Sequence, residues 1–172
     1  MTPELFPAVT VDRVAPAEVN RLLVAWAHPL GACRRPFHQD GHVLLVHGEP
    51  VACTMSASTV SATCGGMGRR SVVELARIAR APSSPWATRP MLRIWREVLA
   101  RMWPCWPVVA AVSYAMPSTR GDIYRFDGWQ RVGPVRPSAG GGTWSSPPAV
   151  NDVGDGVKTL WRYVYEPRGS EA

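Results

Sequence analysis

Lysine is nearly missing from this chain: of 19 basic residues only Lys158 is a lysine, and every other one is arginine. Long apolar runs are missing too. None approaches the roughly 20 residues that a membrane-spanning helix needs, so no membrane partner is expected. Cysteine is sparse, and Cys33, Cys53, Cys64 and Cys105 form no CxxC pair and no short Cys/His cluster. That spacing speaks against a structural zinc site, and the thiols read as free in a reducing compartment. The opening segment MTPELFPAVTVDRV lacks a basic leader followed by an apolar stretch, which makes a cytoplasmic location the expectation. There is no internal repeat and no low-complexity block. A length of 172 residues, 46% hydrophobic and 19% charged, suits one domain with a real core.

What is present is arginine, and with it a net charge of +6. Such a charge points to an anionic partner, either nucleic acid or a phosphate-bearing cofactor. Codon usage in a GC-rich genome, which favours Arg, Ala, Gly and Pro together, accounts for the same composition. In either case arginine holds phosphate in a fixed fork better than lysine does.

Hydrophobic periodicity predicts a strand over Val9–Val14 and then an amphipathic helix in APAEVNRLLVAWAH, with Val19, Leu22, Leu23 and Trp26 on one face. HPLGACRRPFHQDG reads as a loop. HVLLVHGEPVACTMSAST reads as a hairpin turning at Gly48-Glu49-Pro50. SATCGGMGRRS is a turn-rich excursion, and SVVELARIAR is a strand with Val73, Leu75 and Ile78 inward. APSSPWA breaks it. A long helix is predicted from Thr88 to Trp103, with an apolar stripe of Met91, Ile94, Trp95, Val98, Leu99 and Met102, arginines including Arg96 on another face, Thr88 as cap and Pro104 as stop. VVAAVSY reads as a strand covered on both faces. A short helix over Arg120–Asp127 closes at Gly128, WQRVG forms a strand, residues 136–157 carry little regular structure, and KTLWRYVYEP closes the sheet. The core is expected over about residues 8–165, with a frayed C-terminus.

That order, together with ELARIA (Glu74–Ala79), the loop RAPSSPWATR and the segment DIYRFDGWQRVG, resembles the GCN5-related N-acetyltransferase (GNAT) fold. The resemblance implies an α/β (α+β) domain: a mixed, mostly antiparallel central sheet with a parallel splayed strand pair and helices on both faces. ELARIAR and SYAMPSTRGDIYRFDGWQRVG further resemble the divergent GNAT-fold Mom-type proteins of phages, which modify adenine in DNA by carbamoylmethylation and so protect it from restriction. On that resemblance the chain is a group-transfer enzyme with DNA as partner and a small-molecule donor. Met116 departs from the Asp that often follows Ser-Tyr-Ala in that family. An acyl-CoA-dependent N-acetyltransferase of a small-molecule or protein amine is the alternative, and a non-catalytic binding module of the same fold is a further one.

The resemblance carries Glu74, Arg77, Ser113, Tyr114, Gly121, Ile123 and Tyr124; the other candidates are read from their place in the sequence, His28 because it follows a helix end before PLGACRRPF. Tyr124, Ser113, Glu74 and His28 are the catalytic candidates. Tyr124 would protonate a departing thiolate, Ser113 would hydrogen-bond acceptor or donor, and Glu74 would serve as a base through water. Tyr114, Arg77, Asp122 and Trp86 are the substrate-binding candidates. Arg80, Ser83, Ser84, Thr88 and Arg89 are the residues expected around a donor pyrophosphate. GNAT enzymes carry a Gly-rich loop there, whose backbone N–H groups cradle coenzyme A; this chain has Ser83-Ser84-Pro85-Trp86-Ala87-Thr88, which counts against acyl-CoA. Glu74 and Arg77 fall on opposite faces of a regular strand, and a bulge would bring them together. Each residue also has a plainer reading. Tyr124 would pack at a helix end, Ser113 and Tyr114 would cap a strand, Glu74 and Arg77 would pair structurally, and His28 would cap or lie at the surface. Arg34, Arg35, Arg69 and Arg70, with Trp86, would contact phosphate and stack on a base, or form a solvated basic face. AGGGTWSSPP has the composition of a base-flipping loop or of a plain connection.

Overall fold

The computed structural model describes residues 8–135 and 157–166. Strand β1 (Val9–Val14) leads into helix α1 (Pro16–Ala25), and β2 (Gln39–Val46) and β3 (Glu49–Ala57) follow as an antiparallel hairpin. The turn-rich excursion holds a small ribbon, β4 (Thr63–Cys64) with β5 (Met67–Gly68), and a 3-10 turn at Arg69–Ser71. Next come β6 (Val72–Arg80) and helix α2 (Thr88–Ile94), which runs on through a π turn (Trp95–Leu99) and a 3-10 turn (Ala100–Met102). Strand β7 (Ala110–Ala115), the short helix α3 (Asp122–Phe126), β8 (Gln130–Val135) and β9 (Lys158–Val164) complete the described chain. The loop predicted over 136–157 lies almost wholly outside the described residues.

The main sheet has seven strands in the order β1-β2-β3-β6-β7-β9-β8. Only β6 and β7 run parallel; every other pair is antiparallel. This is the mixed sheet with one parallel pair that was expected. Alternation along β3 divides the core between two faces. Cys53 and Met55 pack with Val19, Leu22 and Leu23 of α1, while Ala52 packs with Met91 of α2 on the other side.

Three local expectations need correction. The β2–β3 turn is His47-Gly48, with φ of 50° and 82°, and Val46 pairs directly with Glu49. Two left-handed residues make the tight turn whose twist suits a hairpin, so Glu49 and Pro50 already belong to β3 and His47 sits in the turn. Thr88 does not cap α2: the N-cap position is Ala87, with no side-chain cap bond.

The stripe on the long helix is also out of phase. Val98 and Met102 are 49% and 68% exposed, whereas Leu92 and Arg96 are 0% and 5% exposed. A π turn places more residues in each turn than an α-helix does, so everything after Ile94 is rotated relative to an ideal helix. Arg96 is thereby turned inward, where its Nε donates to Asp127 Oδ2 at 2.7 Å and its guanidinium lies 4.2 Å from the Tyr163 ring centre. Asp127 also accepts from Trp129 Nε1 at 3.0 Å. This ion pair fastens the end of α3 to α2.

Candidate active site

Strands β6 and β7 pair only from Val72–Ala110 to Leu75–Ser113, although both continue further. The cause lies on the other edge of β6. Against β3, Ser56 pairs with Leu75 but Met55 pairs with Arg77, so Ala76 is an extra, bulged residue. Beyond this bulge the parallel strands part, and a cavity of about 360 Å3 opens between them. Its walls are residues 75–78 of β6, 113–116 at the end of β7, 119–124 at the start of α3, and 28–30 after α1. Ser113 and Tyr114 are neighbours on one strand and point to opposite faces, yet both line it. The cavity is a slot walled from both sides of the sheet, by Ile123 and Tyr124 of α3 and by His28 after α1.

At the α3 side, the Tyr124 hydroxyl lies 2.9 Å from Ser113 Oγ, and Ser113 Oγ donates to Leu75 O at 3.0 Å. A serine has one hydroxyl proton. With that proton on Leu75 O, Tyr124 is the donor to Ser113. Burial pushes the Tyr124 phenol above its ordinary value, and Ser113 opposes the shift. The ring is held on both sides, stacked on Trp161 (5.9 Å between centres) and edge-on to Trp129 (5.3 Å). Gly121 begins α3 at φ +68°, and a Cβ there would fall 2.5 Å from Trp161 Nε1. Only glycine fits both the left-handed backbone and the close indole.

At the α1 side, Glu74 is 2% exposed and its Oε1 accepts from Arg35 Nη2. Burial raises its carboxyl above the ordinary value, while the Arg35 and Arg77 guanidiniums oppose that. The bulge turns Arg77 into the cavity wall, where no ion pair joins it to Glu74 among the described residues. Arg77 donates from Nε to Gly31 O (3.3 Å) and from Nη1 to Ala76 O (2.7 Å). The Tyr114 hydroxyl lies 3.2 Å from Cys64 Sγ. His28 accepts at Nδ1 from the Leu30 N–H at 3.1 Å. Burial, with Arg77 nearby, lowers its pKa to about 4, so it is neutral at pH 7.

The slot thus gathers His28, Arg77, Ser113, Tyr114, Asp122 and Tyr124. Glu74 stands behind its wall. Trp86 and Arg89 line a second cavity, about 660 Å3, beside the start of α2; it shares Ile123 with the slot. Arg80, Ser83, Ser84 and Thr88 line neither. Arg80 instead turns its Nη1 onto Ala81 O and Pro82 O. The expected patch of Arg34, Arg35, Arg69, Arg70 and Trp86 is not one surface. Arg35 is committed to Glu74, Arg69 is tied to Val60 O and Ser61 O, and Trp86 belongs to the second cavity. Sequence reasoning missed the partnership of Arg35 with Glu74, which spans 39 residues and has no local signal, and it missed Arg120 in the wall of the slot.

No protein-family model and no curated protein matches the chain. Solved structures do. An IAA acetyltransferase from Bacillus cereus ATCC 14579 superposes with a TM-score of 0.62 at 12% identity, over 92% of this chain and 100% of that one. AAC(6')-Ib in complex with ribostamycin and coenzyme A gives 0.59 at 17% identity, over 96% and 99%. A putative acetyltransferase of the GNAT family from Desulfovibrio desulfuricans gives 0.53 at 12% identity, over 91% and 99%. The chain has the GNAT fold. These identities show the GNAT architecture and leave the Mom-type resemblance without a structural counterpart among the three.

Proposed function

We propose that this protein is an acyl-CoA-dependent N-acyltransferase acting on an amine. The observation that carries the reading is the slot between the parting strands β6 and β7, with the Tyr124 phenol in its wall and a second cavity adjoining it at Ile123. The donor end fits on the side chains present. Arg89 lines that second cavity beside Trp86, and among the described residues it has no carboxylate partner. The N–H groups of Ser84 and Ala87 are spent on Ala81 O and Ser84 O, so Arg89 and Arg93 would hold the pyrophosphate in place of a Gly-rich backbone cradle. Acyl-CoA would supply a thioester-activated acyl group and a thiolate leaving group.

Tyr124 holds a transferable proton at Oη, directed along the Ser113 hydrogen bond. When Tyr124 turns and gives that proton to the departing thiolate, Ser113 turns its hydroxyl from Leu75 O to the phenolate and stabilises it. Glu74, its carboxyl raised by burial against the opposing pull of Arg35, accepts a proton from the acceptor through water. His28 is neutral, and its Nδ1 is occupied by a backbone N–H; it shapes the acceptor end of the slot. Calorimetry with acetyl-CoA, followed by mass spectrometry of an amine panel, tests the reading. A folded protein that neither binds acetyl-CoA nor acylates any amine would overturn it.

DNA base modification is the second reading. The net charge of +6 and the exposed Arg34 and Arg70 favour it. Nucleoside mass spectrometry on DNA from cells expressing the protein decides it: a new nucleoside, absent with Tyr124→Phe, would place the acceptor in DNA, and unchanged nucleosides would remove this reading.

A further inference from the structure

The acceptor side of the slot has an unusual charge balance. Arg77 lines the cavity, turned there by the bulge at Ala76. A guanidinium has five N–H donors; Arg77 uses two, on Gly31 O and Ala76 O. Nη2 and the second Nη1 hydrogen are left, which form the end-on edge of the fork. No carboxylate among the described residues pairs with it. The one buried acid nearby, Glu74, is taken by Arg35. His28, in the same wall, is neutral. Arg120 also lines the slot, with no ion pair among the described residues, and Asp122, the one acid among the described residues of the wall, meets Arg125 at 3.2 Å in an exposed contact.

We propose that Arg77 makes the α1 side of the slot a receptor for a compact anion carried by the acceptor, so that the acceptor is an amine bearing a carboxylate or a phosphate and not a polycation. The inference rests on the acyltransferase reading and narrows its substrate class. A planar fork half-satisfied by carbonyls is oriented before the ligand arrives, and its remaining donors match the two oxygens of a carboxylate. A polycationic amine would meet Arg77 and Arg120, with Asp122, shared with Arg125, as the one acid among the described residues of the wall.

The test is a set of matched acceptors given to the protein with acetyl-CoA: phenylalanine against phenethylamine, β-alanine and phosphoethanolamine against propylamine, and spermidine and kanamycin as polycations. The expected result is a kcat/KM at least about tenfold higher for the anionic member of a pair, the scale of one charge-assisted hydrogen bond. The carboxylate and phosphate arms distinguish the two anions. Equal rates within pairs, or preference for a polycation, would overturn the proposal. Arg77→Lys, checked for an unchanged melting temperature, should raise KM more for the anionic acceptor than for its neutral partner and so shrink the preference within each pair; an equal loss on both counts against the proposal. Saturation-transfer NMR with phenylalanine and phenethylamine, without donor, reads the receptor alone. Signal for phenylalanine only supports it, and signal for phenethylamine only, or for neither, overturns it. Acetyl-CoA binding measured in parallel reports separately on the acyltransferase reading.

Discussion

Tyr124 and Ser113 stand eleven residues apart and share a buried 2.9 Å hydrogen bond that joins α3 to the end of β7 across the mouth of the parting strands. Removing the phenol oxygen with Tyr124→Phe keeps the ring against Trp161 and leaves Ser113 satisfied by Leu75 O. Acylation should fall by about 100-fold or more, the usual weight of a positioned general acid. Stability should change by only about 1 kcal/mol. Steady-state kinetics beside a denaturant melt reads both; unchanged kcat would remove Tyr124 from the chemistry.

Asp127 neutralises Arg96 where both side chains are nearly buried, at 9% and 6% exposure. Asp127→Ala strips a buried guanidinium of its main partner and leaves Trp129 Nε1 without an acceptor. Breaking a buried pair from one side costs about 3–5 kcal/mol. A urea melt should show that loss. A change within about 0.5 kcal/mol, the scale of surface substitutions, would mean that the pair is solvated in solution.

Gly121→Ala places a methyl group against the Trp161 indole in a left-handed backbone. Strain of this kind costs about 1–3 kcal/mol, and relieving it moves the start of α3, hence Tyr124. Both melting temperature and kcat should drop. A crystal structure of an active, fully stable Gly121→Ala variant would refute the close approach.

His28 should titrate near pH 4 in the folded protein, below its ordinary 6.5. Between those values the unfolded chain binds the extra proton and the folded chain does not. The His28 contribution to stability is therefore fully present above about pH 6.5 and is lost as the pH falls towards 4. Imidazole resonances followed by NMR give the pKa directly. A His28→Gln variant should show a flatter fall in urea midpoint from pH 7 to pH 4.5 than the parent chain.

Much of the fold was legible because proline and glycine mark its joints and because apolar periodicity changes where strands give way to helices. The bulge in β6, raised as a condition on the Glu74–Arg77 spacing, is present at Ala76. The phase of the long helix was not legible. WREVL has no feature that announces a π turn, and the inward turn of Arg96 depends on Asp127, 31 residues away. Arg35 looked like a solvated loop arginine for the same reason, since its carboxylate lies on a distant strand. Of the candidate site, the half built from VSY and GDIY could be read locally. The acceptor half depends on where the loop after α1 folds back onto the sheet, which no short pattern encodes.

A slot that adjoins a second cavity has a kinetic signature. Two reactants that occupy adjoining cavities do not compete for one place, so both can be resident before any bond changes. For the proposed reaction, initial rates measured at varied concentrations of each reactant should give intersecting double-reciprocal lines, the mark of a ternary complex. No acylated form of the protein should accumulate when the donor is supplied alone.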